Sequence, residues 1–142
     1  MMMEIYRLKP RSEKFCLMAT VGSVSAGEPQ EIENIFERVD LNEFITHGSE
    51  EVFMIRADGD SMETEIISGD WLIVNRNLQA NAGDKILARV GNSYTVKNFE
   101  SGRNGLRLVA SNGKYAPRKL TANDDCEIFG VVTHVLHSLK KI

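Results

Sequence analysis

The run Lys85-Ile86-Leu87-Ala88-Arg89-Val90-Gly91-Asn92-Ser93-Tyr94-Thr95-Val96-Lys97-Asn98-Phe99 reads as two strands joined by a tight turn. Gly-Asn between two apolar, strand-like runs is a hairpin signal, because both residue types tolerate the positive φ that a two-residue loop demands. The same texture continues outward. Val52 to Arg56, Trp71 to Asn75, Leu106 to Ala110 and Glu127 to Leu136 are further short runs bounded by Gly, Asn and Asp. Residues 51–142 are therefore expected to form a mostly β domain, preceded by a mobile N-terminal arm, residues 1–50, that is poor in strand patterns. Within that arm, Ile32, Ile35, Phe36 and Val39 fall at i, i+3, i+4 and i+7 and predict a short amphipathic helix after Pro29.

The chain of 142 residues is 42% hydrophobic and 26% charged, enough to bury one core without disulfides. Cys16 and Cys126 make no disulfide framework and no four-ligand zinc pattern; they suit a reducing, cytoplasmic setting, and no metal or cofactor is expected. The net charge of −3 excludes a broad basic face and hence direct sequence-specific DNA binding of that kind. The balance is uneven along the chain: +2 over residues 1–14, none over 15–26, −11 over 27–70 and +6 over 71–142. The uncharged Phe15 to Ala26 stretch follows four basic residues as a signal peptide would, but Thr20, Gly22 and Ser23 interrupt it. No stretch approaches the roughly 18 apolar residues that span a bilayer, so no membrane partner is expected.

The densest group of special residues is Asp58-Gly59-Asp60-Ser61-Met62, followed by Ser68-Gly69-Asp70. A serine in a Gly-Asp turn is ordinarily a turn residue. Lys97 gives it a second meaning. On a strand, Thr95, Lys97 and Phe99 share one side, so this lysine lies on the same side as an aromatic ring.

Six separated motifs occur in the order and spacing of the LexA/UmuD family of self-cleaving serine proteases, which the chain resembles. They are Gly59-Asp60-Ser61-Met62, Ile67-Ser68-Gly69-Asp70, Gly83-Asp84, Thr95-Val96-Lys97, Ser111-Asn112 with Tyr115 and Pro117, and Gly130-Val131-Val132. The resemblance implies a twisted, signal-peptidase-like β domain in which Ser61 is the nucleophile and Lys97 the general base. It also implies that the substrate is the protein's own arm. The Ala26-Gly27 bond, in Ala-Gly-Glu-Pro, looks like the LexA cleavage site, while its spacing of 35 residues from Ser61 is close to that of UmuD. The other Ala-Gly pair, Ala82-Gly83, sits between core strands and reads as a turn.

The chemistry requires these residue types. An amine takes the serine proton only when it is neutral, and at an ordinary pKa of about 10.4 only roughly 0.04% of a lysine is neutral at pH 7. Burial has to supply about 4 kcal/mol to correct this, and Phe99, Val96 and Met62 are expected to supply the apolar surroundings. Backbone N–H groups at Asp60 and Ser61 are expected to hold the oxyanion.

Length separates the relatives. A repressor of this family places a helix-turn-helix domain before the arm, and the 26 residues ahead of Gly27 are too few to hold one. Asp40-Leu41-Asn42 resembles a UmuD stretch. The expectation is a UmuD-like SOS-response protein whose shortened homodimer serves a UmuC-type translesion polymerase, with a RecA-type filament on single-stranded DNA promoting the cut. An idle interaction module, a LexA-like repressor fragment and a signal-peptidase-like enzyme acting on other chains are the alternatives. His47, His134 and His137 are expected at the surface or as strand fillers.

Overall fold

In the computed structural model the Lys85 hairpin closes as the sequence indicates. β6 (Lys85–Val90) pairs antiparallel with β7 (Ser93–Gly102) across Gly91-Asn92, and Gly91 has a φ of 60°. The structure describes residues 5–8, 17–21, 35–60, 62–63, 65–103, 105–121 and 124–140, with only the backbone described before residue 40. The elements in chain order are β1 (Ile5–Leu8), β2 (Leu17–Val21), β3 (Ile35–Val39), α1 (Leu41–Thr46), β4 (Val52–Arg56), β5 (Trp71–Asn75), β6, β7, β8 (Gly105–Val109), β9 (Arg118–Lys119) and β10 (Cys126–Leu136). The strands expected from the sequence are β4, β5, β6, β7, β8 and β10, and the fold is mostly antiparallel β, as expected.

Eight strands form one sheet in the order β1-β4-β5-β10-β6-β7-β8-β9, and every pairing is antiparallel. β10 is the hub, bonded to β5 on one side and β6 on the other. It serves both through register shifts at Ile128/Gly130 and Val132/His134, which bend the strand and add twist. At the first shift only a glycine fits. A Cβ on Gly130 would lie 2.7 Å from Val74 Cγ1 and 3.0 Å from the Asn75 carbonyl oxygen, so the backbone of β5 would have to move. Gly130→Ala is expected to cost about 1–3 kcal/mol, read as a lower urea midpoint at unchanged m value.

The pleat separates two buried groups. Leu87 and Val96 lie with Ile55, Ala57, Met62, Ile66, Leu72 and Val74 in one cluster, while Ile86, Ala88, Phe99 and Leu108 form the other. Alternate residues of β6 therefore fill different clusters, as period-two geometry requires.

The segments before residue 50 depart from expectation. Residues 35–39, expected in a helix, form β3, which pairs with β2 through five residues from Leu17↔Val39 to Val21↔Ile35. Ile35 and Val39 are β-branched, and the paired strand supplies backbone partners that a short isolated helix lacks. Ile32 lies outside the described residues. The helix comes instead at Leu41–Thr46, capped by Asp40, whose Oδ1 accepts the N–H groups of Asn42 (2.9 Å) and Glu43 (3.3 Å). By compactness the chain divides into two units, Met1–Lys9 with Ser49–Ile142 in one and Pro10–Gly48 in the other. β1 belongs to the large sheet, where Ile5 to Leu8 pair with Ile55 to Val52.

Candidate active site

The loop from Ala57 to Asp70 carries the Gly-Asp-Ser sequence, and its two ends are tied together. The Ala57 N–H donates to the Asp70 carbonyl and the Gly69 N–H to the Ala57 carbonyl, both at 2.8 Å. Gly59 and Gly69 have φ values of 98° and 97°, conformations that a side chain would strain. Asp70 is 4% exposed; its Oδ2 accepts the Ile67 N–H at 2.9 Å, and its Oδ1 lies 2.5 Å from His137 Nδ1. His137 lies at the surface just beyond β10, as expected, and its ring nitrogen rests on this buried carboxylate. His134 stands against Thr133 Oγ1 at 2.9 Å, and His47 ends α1 with a φ of 50°.

Ser61 lies outside the described residues, as do Ala26 and Gly27. Its two sequence neighbours are both held. Met62 is 5% exposed and belongs to the buried cluster that includes Val96. Asp60 is gripped from the segment after β8: Asn112 Nδ2 donates to its carbonyl oxygen at 3.1 Å, and the Tyr115 hydroxyl donates a short hydrogen bond to its Oδ1. That carboxylate raises the Tyr115 pKa, first by the hydrogen bond and then by its charge. Farther along the loop, Glu65 Oε2 accepts from Ser111 Oγ at 2.7 Å and pairs with Lys85 Nζ at 2.8 Å. These two partners, Lys85 first, hold the Glu65 carboxyl below its ordinary range. Asn98 Nδ2 completes the network by donating to Ser111 Oγ at 2.9 Å.

Lys97 stands on β7 opposite Ile86 and is half-buried. Its Nζ donates to Thr95 Oγ1 at 3.0 Å and to the Val96 carbonyl at 3.2 Å. Desolvation lowers its pKa below 10.5. Of the three apolar neighbours expected to cause this, Phe99 shares the lysine's side of the strand, with Ile86 and Ala88 across from it on β6. Val96 and Met62 belong to the cluster on the opposite face. The site thus brings the flanking residues of Ser61 and Lys97 into one framework, since Met62 and Val96 share a cluster.

Thr95 is a partner that its position, two residues before Lys97 on the same strand face, makes findable from sequence. Ser111, Asn112 and Tyr115 are visible in the sequence only as motif residues; their contacts to Asp60 and Glu65 span 46 to 55 residues and leave no local pattern. Among the described residues, no three His, Cys, Asp or Glu side chains come together as a metal site. No described helix is long and apolar enough to cross a membrane.

The loop that carries the Gly-Asp-Ser sequence and the strand that carries the desolvated Lys97 meet through Met62 and Val96 in one core of an antiparallel β domain. The Peptidase S24-like family model matches residues 19–133, and the chain belongs to that family, which is one of self-cleaving, LexA-like serine peptidases. Similar proteins include the LexA repressors of Sorangium cellulosum (36% identical over 126 residues, 86% of this chain and 55% of the relative) and Geobacillus kaustophilus (35% over 126 residues, 87% and 59%). The LexA repressor of Shewanella amazonensis is 37% identical over 123 residues, 83% of this chain and 58% of its own length. The chain spans somewhat more than half the length of these relatives.

Proposed function

We propose that this protein is a UmuD-like, self-cleaving serine peptidase of the SOS response, with Ser61 as nucleophile and Lys97 as general base, and that its substrate is its own Ala26-Gly27 bond. The observation that carries the reading is the state of Lys97: half-buried, desolvated and held by two oxygen acceptors, on a strand whose Val96 packs in the same cluster as Met62. In the neutral form, Nζ takes the Ser61 hydroxyl proton while Oγ attacks the Ala26 carbonyl carbon. Backbone N–H groups at Asp60 and Ser61 stabilise the oxyanion. Collapse of the intermediate breaks the Ala26-Gly27 bond, the proton passes from Nζ to the Gly27 nitrogen, and Ala26 remains as an ester on Ser61. A water molecule, deprotonated by Lys97, then hydrolyses the ester and restores both groups.

By carry-over from the family, a RecA-type filament on single-stranded DNA promotes the cut, and the shortened homodimer then binds a UmuC-type error-prone polymerase. The spacing of 35 residues between Ala26 and Ser61 and the Asp40-Leu41-Asn42 stretch, here the cap and first turn of α1, support the UmuD-like form. A LexA-like role is the second reading, favoured by the Ala-Gly bond and by the LexA repressors among its relatives. Incubation of the full-length chain at about pH 10, near the ordinary lysine pKa, followed by N-terminal sequencing, should yield a fragment starting at Gly27. An intact chain would overturn the self-cleavage reading, and failure of the cut form to bind a UmuC-type polymerase would overturn the UmuD-like one.

Asn112 offers a finer test. Asn112→Ala removes the side-chain donor to the Asp60 carbonyl, a hydrogen bond worth about 1 kcal/mol, and should slow the cut about fivefold. Because the lost bond is to the Asp60 carbonyl and the Thr95 and Val96 partners of Lys97 stay in place, the pH midpoint of the rate should stay where it is.

A further inference from the structure

We propose that His137 is a positioning residue for the Ser61 loop: it bonds the buried carboxylate of Asp70, and Asp70 anchors the segment that holds both sequence flanks of Ser61. Its part in cleavage rests on the self-cleavage reading. The anchoring is independent of it.

The register of the sheet brings the two residues together. β10 and β5 run antiparallel, and their ladder ends at Leu136↔Trp71. One step beyond, His137 faces Asp70, the last residue of the loop, with Nδ1 2.5 Å from Oδ1. An ionised carboxylate only accepts, so Nδ1 carries the proton, and it can do so in the neutral ring as well as in the charged one. The Asp70 side chain is buried while the histidine is open to solvent. Water therefore reaches the carboxylate poorly, and the imidazole supplies the donor that burial withholds.

Asp70 passes the constraint on through three bonds. Its Oδ2 accepts the Ile67 N–H at 2.9 Å, its own N–H donates to the Ile67 carbonyl at 2.9 Å, and its carbonyl accepts the Ala57 N–H at 2.8 Å. The segment held in this way, residues 65–69, bonds to both sides of the serine. Ser68 Oγ accepts the Gly59 N–H at 3.4 Å, and the Met62 carbonyl accepts the N–H groups of Glu65 at 3.1 Å and Ile66 at 2.9 Å. Gly59 and Met62 bracket Ser61 in the sequence.

A serine–lysine mechanism has no chemical step for this histidine, and Lys97 has its own partners in Thr95 and Val96. The contribution of His137 is geometric. A loosened loop spreads Ser61 over more orientations and lowers the fraction in which Oγ is aligned for attack, without altering the proton affinity of Lys97.

The test compares the full-length chain with His137→Ala and with His137→Asn, whose Nδ2 occupies the same place along the side chain as Nδ1 of the ring. Both readouts are taken at a temperature where melts show all three chains folded. One is the rate of appearance of the fragment starting at Gly27 across pH; the other, in the Ser61→Ala background, is amide hydrogen exchange at Ile67 and at Leu87. Losing a hydrogen bond to a charged group should lower the plateau rate about tenfold in His137→Ala and speed exchange at Ile67 by a similar factor. The pH midpoint should not move, and Leu87, in the middle of the sheet, should change far less because it exchanges through global unfolding. His137→Asn should restore both the rate and the protection of Ile67. A wild-type plateau rate in His137→Ala, equal changes at Ile67 and Leu87, or a His137→Asn chain no better than His137→Ala would overturn the inference. A wild-type chain that never cuts itself would count against the self-cleavage reading, whereas the protection of Ile67 by His137 is read without any cleavage and stands or falls by itself.

Discussion

Lys97→Ala is expected to slow formation of the fragment beginning at Gly27 by at least about a thousandfold, and Ser61→Ala to abolish it. The two substitutions remove different halves of one proton transfer, so the double variant should be no slower than the Ser61→Ala chain. Wild-type protein should show the pH dependence of a buried amine. Below the folded pKa of Lys97 the neutral fraction, and with it the rate, should rise tenfold per pH unit and then level off. Desolvation places that plateau below 10.5, the value for a solvated lysine. The sign for stability follows from the same shift. Between the lowered folded pKa and the unfolded value, the unfolded chain binds the extra proton, so stability contributed by Lys97 rises with pH across that window. Lys97→Met should flatten this slope and raise stability at neutral pH while cleavage is lost. A fragment starting at Gly27 in the Ser61→Ala chain would assign the cut to another protease.

The second large effect is expected at Leu87, which has no exposed surface and lies on the central strand β6, opposite Val96. Leu87→Ala removes the side chain from the cluster that also seats Met62 and Val96, and rigid strands on both sides limit how far the space can collapse. The cost should be about 2–5 kcal/mol, lowering Tm by at least about 10 °C. Because Met62 follows Ser61 and Val96 precedes Lys97, the variant should also lose cleavage at temperatures where the wild type is folded and active. Arg89, two residues away on the same face of β6, is an informative contrast. Its guanidinium bonds the exposed Asp125 and Glu127 carboxylates, so Arg89→Ala should leave the melting temperature nearly unchanged. Thermal melts of the two variants separate core packing from surface pairing.

The strands around the Lys85 hairpin were legible because each carries its own signal. Apolar runs of five to seven residues end at Gly, Asn or Asp, and pairing with a sequence neighbour follows from a tight turn. The Gly-Asp-Ser loop and the strand lysine were legible for a related reason: their residue types are unusual for the places they occupy. Residues 35–39 misled, since Ile35, Phe36 and Val39 suit a helical face and yet are equally good strand formers, and the outcome rested on the partner strand Leu17–Val21. β1 was missed because four residues are too few to show a period.

The amino-acid sequence alone determined the antiparallel β class, the positions of the six main strands and the two residues on which a serine–lysine mechanism would rest, because these depend on local alternation, turn chemistry and residue type. Tertiary structure decided which distant groups meet. It placed Asn112 and Tyr115 on Asp60, Ser111 and Lys85 on Glu65, His137 on Asp70, and the N-terminal residues 5–8 on β4. The physical reason is that a strand edge or a carboxylate accepts any correctly placed donor, so only the folded path of the chain selects which one arrives.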